Sequence, residues 1–146
     1  MASILEQLGA DHARCDDFFA QAEQAAAKGD WLSAQAAFSA FAAGMARHFA
    51  MEEEVLFPAF ESRTGNTAGP TRVMRLEHDQ MRGLLDALRQ AVEHRDGQAY
   101  AGAAETLLVL MQQHNLKEEQ ILYPMCDRVL AGERDELLAR MEATGG

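Results

Sequence analysis

"HFAMEEEVLFP", residues His48 to Pro58, places a histidine and a carboxylate where a helix seam should be apolar. Phe38, Phe41, Met45, His48, Glu52 and Val55 recur at three- and four-residue intervals, the stripe of an amphipathic helix. A second stretch, "HNLKEEQILYP" from His114 to Pro124, repeats the arrangement within a seam of Leu107, Met111, His114, Glu118, Ile121 and Met125. Two earlier and intervening seams carry one histidine each. They read Leu5, Leu8, His12, Cys15, Phe19 and Met74, His78, Met81, Leu85, Leu88, Val92.

The chain between these seams is rich in Ala, Leu, Met, Glu, Gln and Arg, all good helix formers. Turn signals concentrate at "KGD" (28–30), "SRTGNTAGPT" (62–71) and "HRDGQ" (94–98). They predict helices over about 3–27, 31–61, 71–94 and 98–130, with Asp30 and Thr71 as N-caps of the second and third. "ERDELLARME", residues 133–142, predicts a short fifth helix packed on the bundle end, and "ATGG" should fray. No stretch alternates with strand period. The expected fold is all-α: an up-down-up-down four-helix bundle over about 3–130, within a single domain of 1–146.

An internal repeat supports this reading. A spacing of 66 residues relates His12 to His78, His48 to His114, Glu52 to Glu118 and Pro58 to Pro124. The two halves read as duplicated helical hairpins related by pseudo-two-fold symmetry. His12 and His48 lie 17 and 19 residues from the turn at Gly29; His78 and His114 each lie 18 from Asp96. At about 1.5 Å rise per residue, each hairpin brings its two histidines to one level within roughly 3 Å. Glu52 and Glu118 follow one turn beyond, on the same face.

Four imidazoles and two carboxylates converging in a bundle interior are the donors of a dinuclear metal centre. Carboxylates bridge two cations, imidazoles cap each one, and the cations offset two buried anions that would otherwise cost several kcal/mol or take up protons. A nitrogen and oxygen set without thiolate suits iron or manganese, with zinc a possible substitute. Six donors leave open positions for a small ligand. Glu54 is expected to face solvent, Glu53 and Glu119 to be supporting or alternative ligands, and Asp11 and Glu77 to lie on the surface. Tyr123, more than a turn beyond Glu118, is expected outside the chemistry. His94, beside a turn and off the seam, is expected to be solvated.

Bulk properties exclude several function classes. The net charge of −10 opposes nucleic-acid and anionic-membrane binding. No apolar run is long enough to span a bilayer, and the N-terminus lacks a basic, then apolar, leader pattern. Cys15 and Cys126, far apart and outside any CxxC spacing, read as reduced core residues of a cytoplasmic protein. The expected assembly is a monomer or weak homo-oligomer.

Taken together, Asp11-His12, "HFAMEEEVLFP", "EHDQMRGLL" (Glu77 to Leu85) and "HNLKEEQILYP" resemble the hemerythrin-like family, also called HHE cation-binding domains. The resemblance implies a non-haem di-iron site with an oxo or hydroxo bridge. His12, His48, His78 and His114 would be terminal ligands, and Glu52 and Glu118 bridging ones. Oxygen-carrying members use HxxxH on the third helix and HxxxxD on the fourth. Here Arg82 stands four after His78, Glu118 four after His114, and Glu119 five after it. The paired HxxxE arrangement is more similar to bacterial members linked to nitric oxide, oxidative stress and iron–sulfur repair. The implied function is binding of, or reaction with, O2, NO or peroxide. The alternatives are iron handling and repair, or a metal-dependent sensor acting through a partner.

Overall fold

A computed structural model of the chain describes residues 2–144. Helix α1 is Ile4–Ala27. Helix α2 runs over 31–64 as an α segment Trp31–Met51, a π-helical turn Glu52–Leu56 and a second α segment Phe57–Thr64. Helix α3 is Pro70–Glu93. Helix α4 runs over 97–129, from Gly97–Lys117 through a π-helical turn Glu118–Leu122 to Tyr123–Val129. Helix α5 is Arg134–Ala143. α1 lies along α2 and α3 along α4, while α1–α4 and α2–α3 contacts close the array. The all-α bundle with its short last helix is therefore as the seams predict. The fraying expected of "ATGG" falls partly on Gly145 and Gly146, outside the described residues.

Local chemistry explains most helix ends. Ser3, Asp30 and Asp96 accept hydrogen bonds from the backbone N–H groups of Glu6, Ser33 and Ala99, each satisfying an otherwise orphaned first-turn donor. Thr71 does not cap α3. The helix begins one residue earlier at Pro70, whose fixed φ and missing N–H suit a first helical position. The buried Thr71 hydroxyl instead donates to Glu61 at 2.7 Å.

The hairpin turns obey the repeat with one exception. Gly29 leaves α1 at φ 73°, whereas its counterpart 66 residues later is Arg95, at φ 52°. A side chain in this left-handed region is strained by about 1–2 kcal/mol, partly offset by the unfolded-state entropy that glycine adds. Arg95→Gly is expected to stabilise the protein by about 0.5–1 kcal/mol, read as a higher denaturation midpoint in urea at unchanged slope. An unchanged midpoint would contradict the strain.

Two apolar clusters fill the bundle. One includes Phe19, Phe38, Phe41, Met45, Met81, Leu88, Leu107 and Met111, towards the hairpin turns. The other includes Ile4, Leu8, Leu56, Phe57, Phe60, Leu122, Leu130 and, from α5, Leu137 and Met141. Between them lies a layer of buried polar side chains.

Most seam residues are buried, Leu5 and Leu85 only partly so, and one stretch is corrected. Ile121 is 57% exposed and Met125 only partly buried; Leu122, Tyr123 and Cys126 take the inward positions. The cause is the π turn, in which the Tyr123 N–H bonds to the Glu118 carbonyl, five residues back. Phe57 bonds likewise to Glu52. Each turn adds one residue to the helix circumference, so the inward face moves forward by one. Pro58 and Pro124 are the second residues after these turns, and an interior proline clashes with the carbonyl four residues back. Widening the helix before the ring relieves that clash.

Candidate metal centre

The polar layer holds His12, His48, Glu52, His78, His114 and Glu118, all 5% exposed or less. One set of mutually close donor atoms comes from Glu52, His78, His114 and Glu118, and another from His12, His48 and Glu118. Glu118 belongs to both. Its Oε1 lies 3.0 Å from His12 Nε2, 3.3 Å from His114 Nε2 and 4.0 Å from His48 Nε2. Glu52 Oε1 lies 3.0 Å from His78 Nε2 and 3.5 Å from His48 Nε2. Every imidazole thus points Nε2 at the shared carboxylates.

The other ring nitrogen explains this common orientation. His12 Nδ1–H donates to Glu119 at 2.7 Å, and His48 to Asp11 at 2.7 Å. His78 Nδ1–H donates to Glu53 at 2.6 Å, and His114 to Glu77 at 2.8 Å. Holding a proton on Nδ1 makes Nε2 the atom that faces the centre and that would give up its proton to a metal, as a carboxylate–histidine–metal arrangement requires. Three of the four supporting carboxylates are tied down in turn. Arg14 pairs with Asp11, Arg82 with Glu53 at 2.8 Å, and Lys117 with Glu77.

Charge in the layer is strongly perturbed. Burial would raise the Glu52 carboxyl, but the His48 charge and histidine hydrogen bonds hold it well below the usual carboxylate range. Burial likewise opposes charge on His48, yet Glu52 and the Asp11 hydrogen bond raise it to about 10. Such a negative centre attracts a proton or a metal cation alike. Burial against Glu118 and Glu52 keeps the Tyr123 phenol protonated, well above its ordinary value. Burial also pushes the free thiols of Cys15 and Cys126 up to about 12, which makes both inert core groups.

The six residues predicted from the seams are therefore brought together, and Glu54 and His94 are exposed as expected. Glu53 and Glu119 take the supporting position. Asp11 and Glu77 were placed wrongly on the surface. Each sits one residue before its own seam histidine and so reaches across to the next helix, where it orients His48 or His114. Tyr123 was also misplaced. Its Oη donates to Glu52 at 2.7 Å and Glu118 at 2.9 Å, and lies 3.2 Å from both His12 and His48 Nε2. The π turn carries it inward, and the signal for that was the proline at the same place in both helices.

The residues fit a metal group on a further observation. His114 Nε2 and Glu118 Oε2 are buried with no hydrogen-bond partner, although both residues belong to the donor cluster. Native interiors seldom leave such atoms orphaned.

Residues 3–126 match the model of the hemerythrin HHE cation-binding domain. The chain belongs to that family. Relatives include the iron-sulfur cluster repair protein YtfE of Salmonella schwarzengrund (strain CVM19633), 31% identical over 99 residues, which cover 61% of this chain and 43% of that protein. YtfE of Enterobacter sp. (strain 638) is 33% identical over 96 residues, 59% of this chain and 42% of the relative. YtfE of Yersinia pestis (strain Pestoides F) is 32% identical over 108 residues, 67% and 47% respectively. The matches span less than half the length of these relatives. No solved structure matches the chain. No helix among the described residues is long and apolar enough to cross a membrane.

Proposed function

We propose that this HHE domain is a cytoplasmic non-haem di-iron protein that binds or reacts with O2, NO or peroxide inside the bundle. His12 and His48 would hold one ion, His78 and His114 the other, with Glu52 and Glu118 shared and an oxo or hydroxo group completing the bridge. The observation that carries the reading is the common orientation of four imidazoles by four outer carboxylates, with two donor atoms left unpartnered. Nitrogen and oxygen donors favour iron, with manganese or zinc as substitutes. When bound, such a pair of ions supplies electrons and Lewis acidity to a small ligand. The protein's own part is to orient the donors, keep bulk water out and offer the Tyr123 hydroxyl as a hydrogen-bond donor.

The test is anaerobic reduction of iron-loaded protein, followed by separate addition of O2, NO and peroxide under optical observation. A spectral change or consumption with at least one of them is expected. Inertness to all three would overturn the reading. A second reading, iron handling for cluster repair, is favoured by the relatives' names. It predicts iron transfer to an apo iron–sulfur protein, measured by restored cluster absorbance.

The supporting carboxylates give a separate prediction. Asp11→Ala and Glu77→Ala should each weaken metal binding by about 10–100-fold, because they free His48 and His114 to rotate. Competition with a chelator measures the change. Unchanged affinity would show that Nδ1 orientation does not matter.

A further inference from the structure

The repeat that builds the centre is broken at its most central position. Every donor and every supporting carboxylate in one half has a counterpart 66 residues away, but Tyr123 answers to Phe57. Both residues follow the π turn and both are fully buried. Phe57 presents only hydrocarbon, stacking on His78 at a centroid distance of 5.7 Å, with Phe49 closer at 4.1 Å. Tyr123 stacks on His12 at 5.6 Å and adds a hydroxyl.

That hydroxyl occupies a particular place. It lies between 2.7 and 3.2 Å from Glu52 Oε2, Glu118 Oε1, His12 Nε2 and His48 Nε2. Three of them, His12, His48 and Glu118, are the donors a cation at this end would draw together. At the opposite end Phe57 brings no hydroxyl, and the unpartnered His114 Nε2 belongs to that end's donor set alone, whereas Glu118, whose Oε2 is also unpartnered, belongs to both.

We propose that the Tyr123 hydroxyl competes with a metal ion for the His12/His48 end, so the two ends bind metal unequally and the His78/His114 end fills first. The inference rests on the dinuclear reading and adds an order of filling to it. A cation entering between His12 and His48 must displace a neutral O–H shared by two carboxylates and shift a fully buried ring. A cation entering between His78 and His114 satisfies the orphaned His114 Nε2 and meets no intervening hydroxyl; it replaces the His78 Nε2 contact to Glu52 without moving a buried ring. Giving up charge-assisted hydrogen bonds corresponds to about 10–100-fold in affinity.

The experiment is stepwise titration of metal-free protein with Co(II), read by its visible absorbance and by equilibrium dialysis. Two ions should bind in steps separated by at least about 10-fold. Chelator should then remove them in two phases. In Tyr123→Phe the steps should merge, and the fold is expected to survive because Phe57 fills the same place in the other half. Phe57→Tyr should weaken the first step. His12→Ala should keep the tight step and His114→Ala should lose it. Two equal steps in the native protein, or a separation that persists in Tyr123→Phe, would overturn the inference while leaving the dinuclear reading intact. Binding of no ion at all would overturn that reading, and the inference with it.

Discussion

Glu118→Ala should lose both metal ions, retaining well under one equivalent after dialysis against a weak chelator. Glu118 belongs to both donor groups and is fully buried between them. Removing a supporting carboxylate costs about 10–100-fold in affinity; removing a shared donor should exceed that range at both ends. The substitution also strips hydrogen bonds from His12 and Tyr123. Leaving buried polar groups unpaired costs about 1–3 kcal/mol each, so the variant should be less stable as well as metal-poor. Circular dichroism at low temperature checks that the bundle still forms. Glu54→Ala is the natural control: its side chain is exposed, and metal content should not change. Full metal retention in Glu118→Ala would refute the assignment of a shared carboxylate.

The second large effect is on stability. Metal that binds the folded chain and not the unfolded one adds about 2.7 kcal/mol when free metal is 100 times its dissociation constant. For a chain of this size, about 1 kcal/mol moves the melting temperature by roughly 2–4 °C. Chelation should therefore lower Tm by about 5–10 °C or more, and restoring metal should recover it. The fall should be concentration-dependent, as linkage requires. A metal-independent Tm would mean that the hydrogen bonds of Tyr123 and the histidines already stabilise the layer as well as cations do.

Much of this site was legible in the sequence, for an identifiable physical reason. A charged or titratable side chain on an apolar seam is costly, so His48 and Glu52 announce a compensating partner wherever the helical period is regular. Regularity is also where the reading stopped. In α4 the 3.6-residue period places Leu107, Met111, His114 and Glu118 correctly; beyond Glu118 the π turn adds one residue and turns Ile121 outward and Tyr123 inward. Asp11 and Glu77 escaped for a different reason. A residue adjacent to the seam faces the neighbouring helix rather than the solvent, and its role depends on what that neighbour presents. A single helix pattern does not contain this information, but the 66-residue repeat does, since an acidic residue precedes the histidine in both halves. Asp30 was read correctly as a cap because its partner, Ser33, is local; Thr71 was not, because its partner, Glu61, belongs to another helix.

The central claim is that this bundle holds two iron ions on His12, His48, His78, His114, Glu52 and Glu118. The most direct measurement is Mössbauer spectroscopy of protein loaded with isotopically enriched iron, on samples of known iron-to-chain ratio. The prediction is two irons per chain, with an oxidised spectrum that stays diamagnetic at low temperature because the bridged ions couple. Iron absent from the bundle, or a single magnetically isolated ion unaffected by substitution of these six residues, would contradict it.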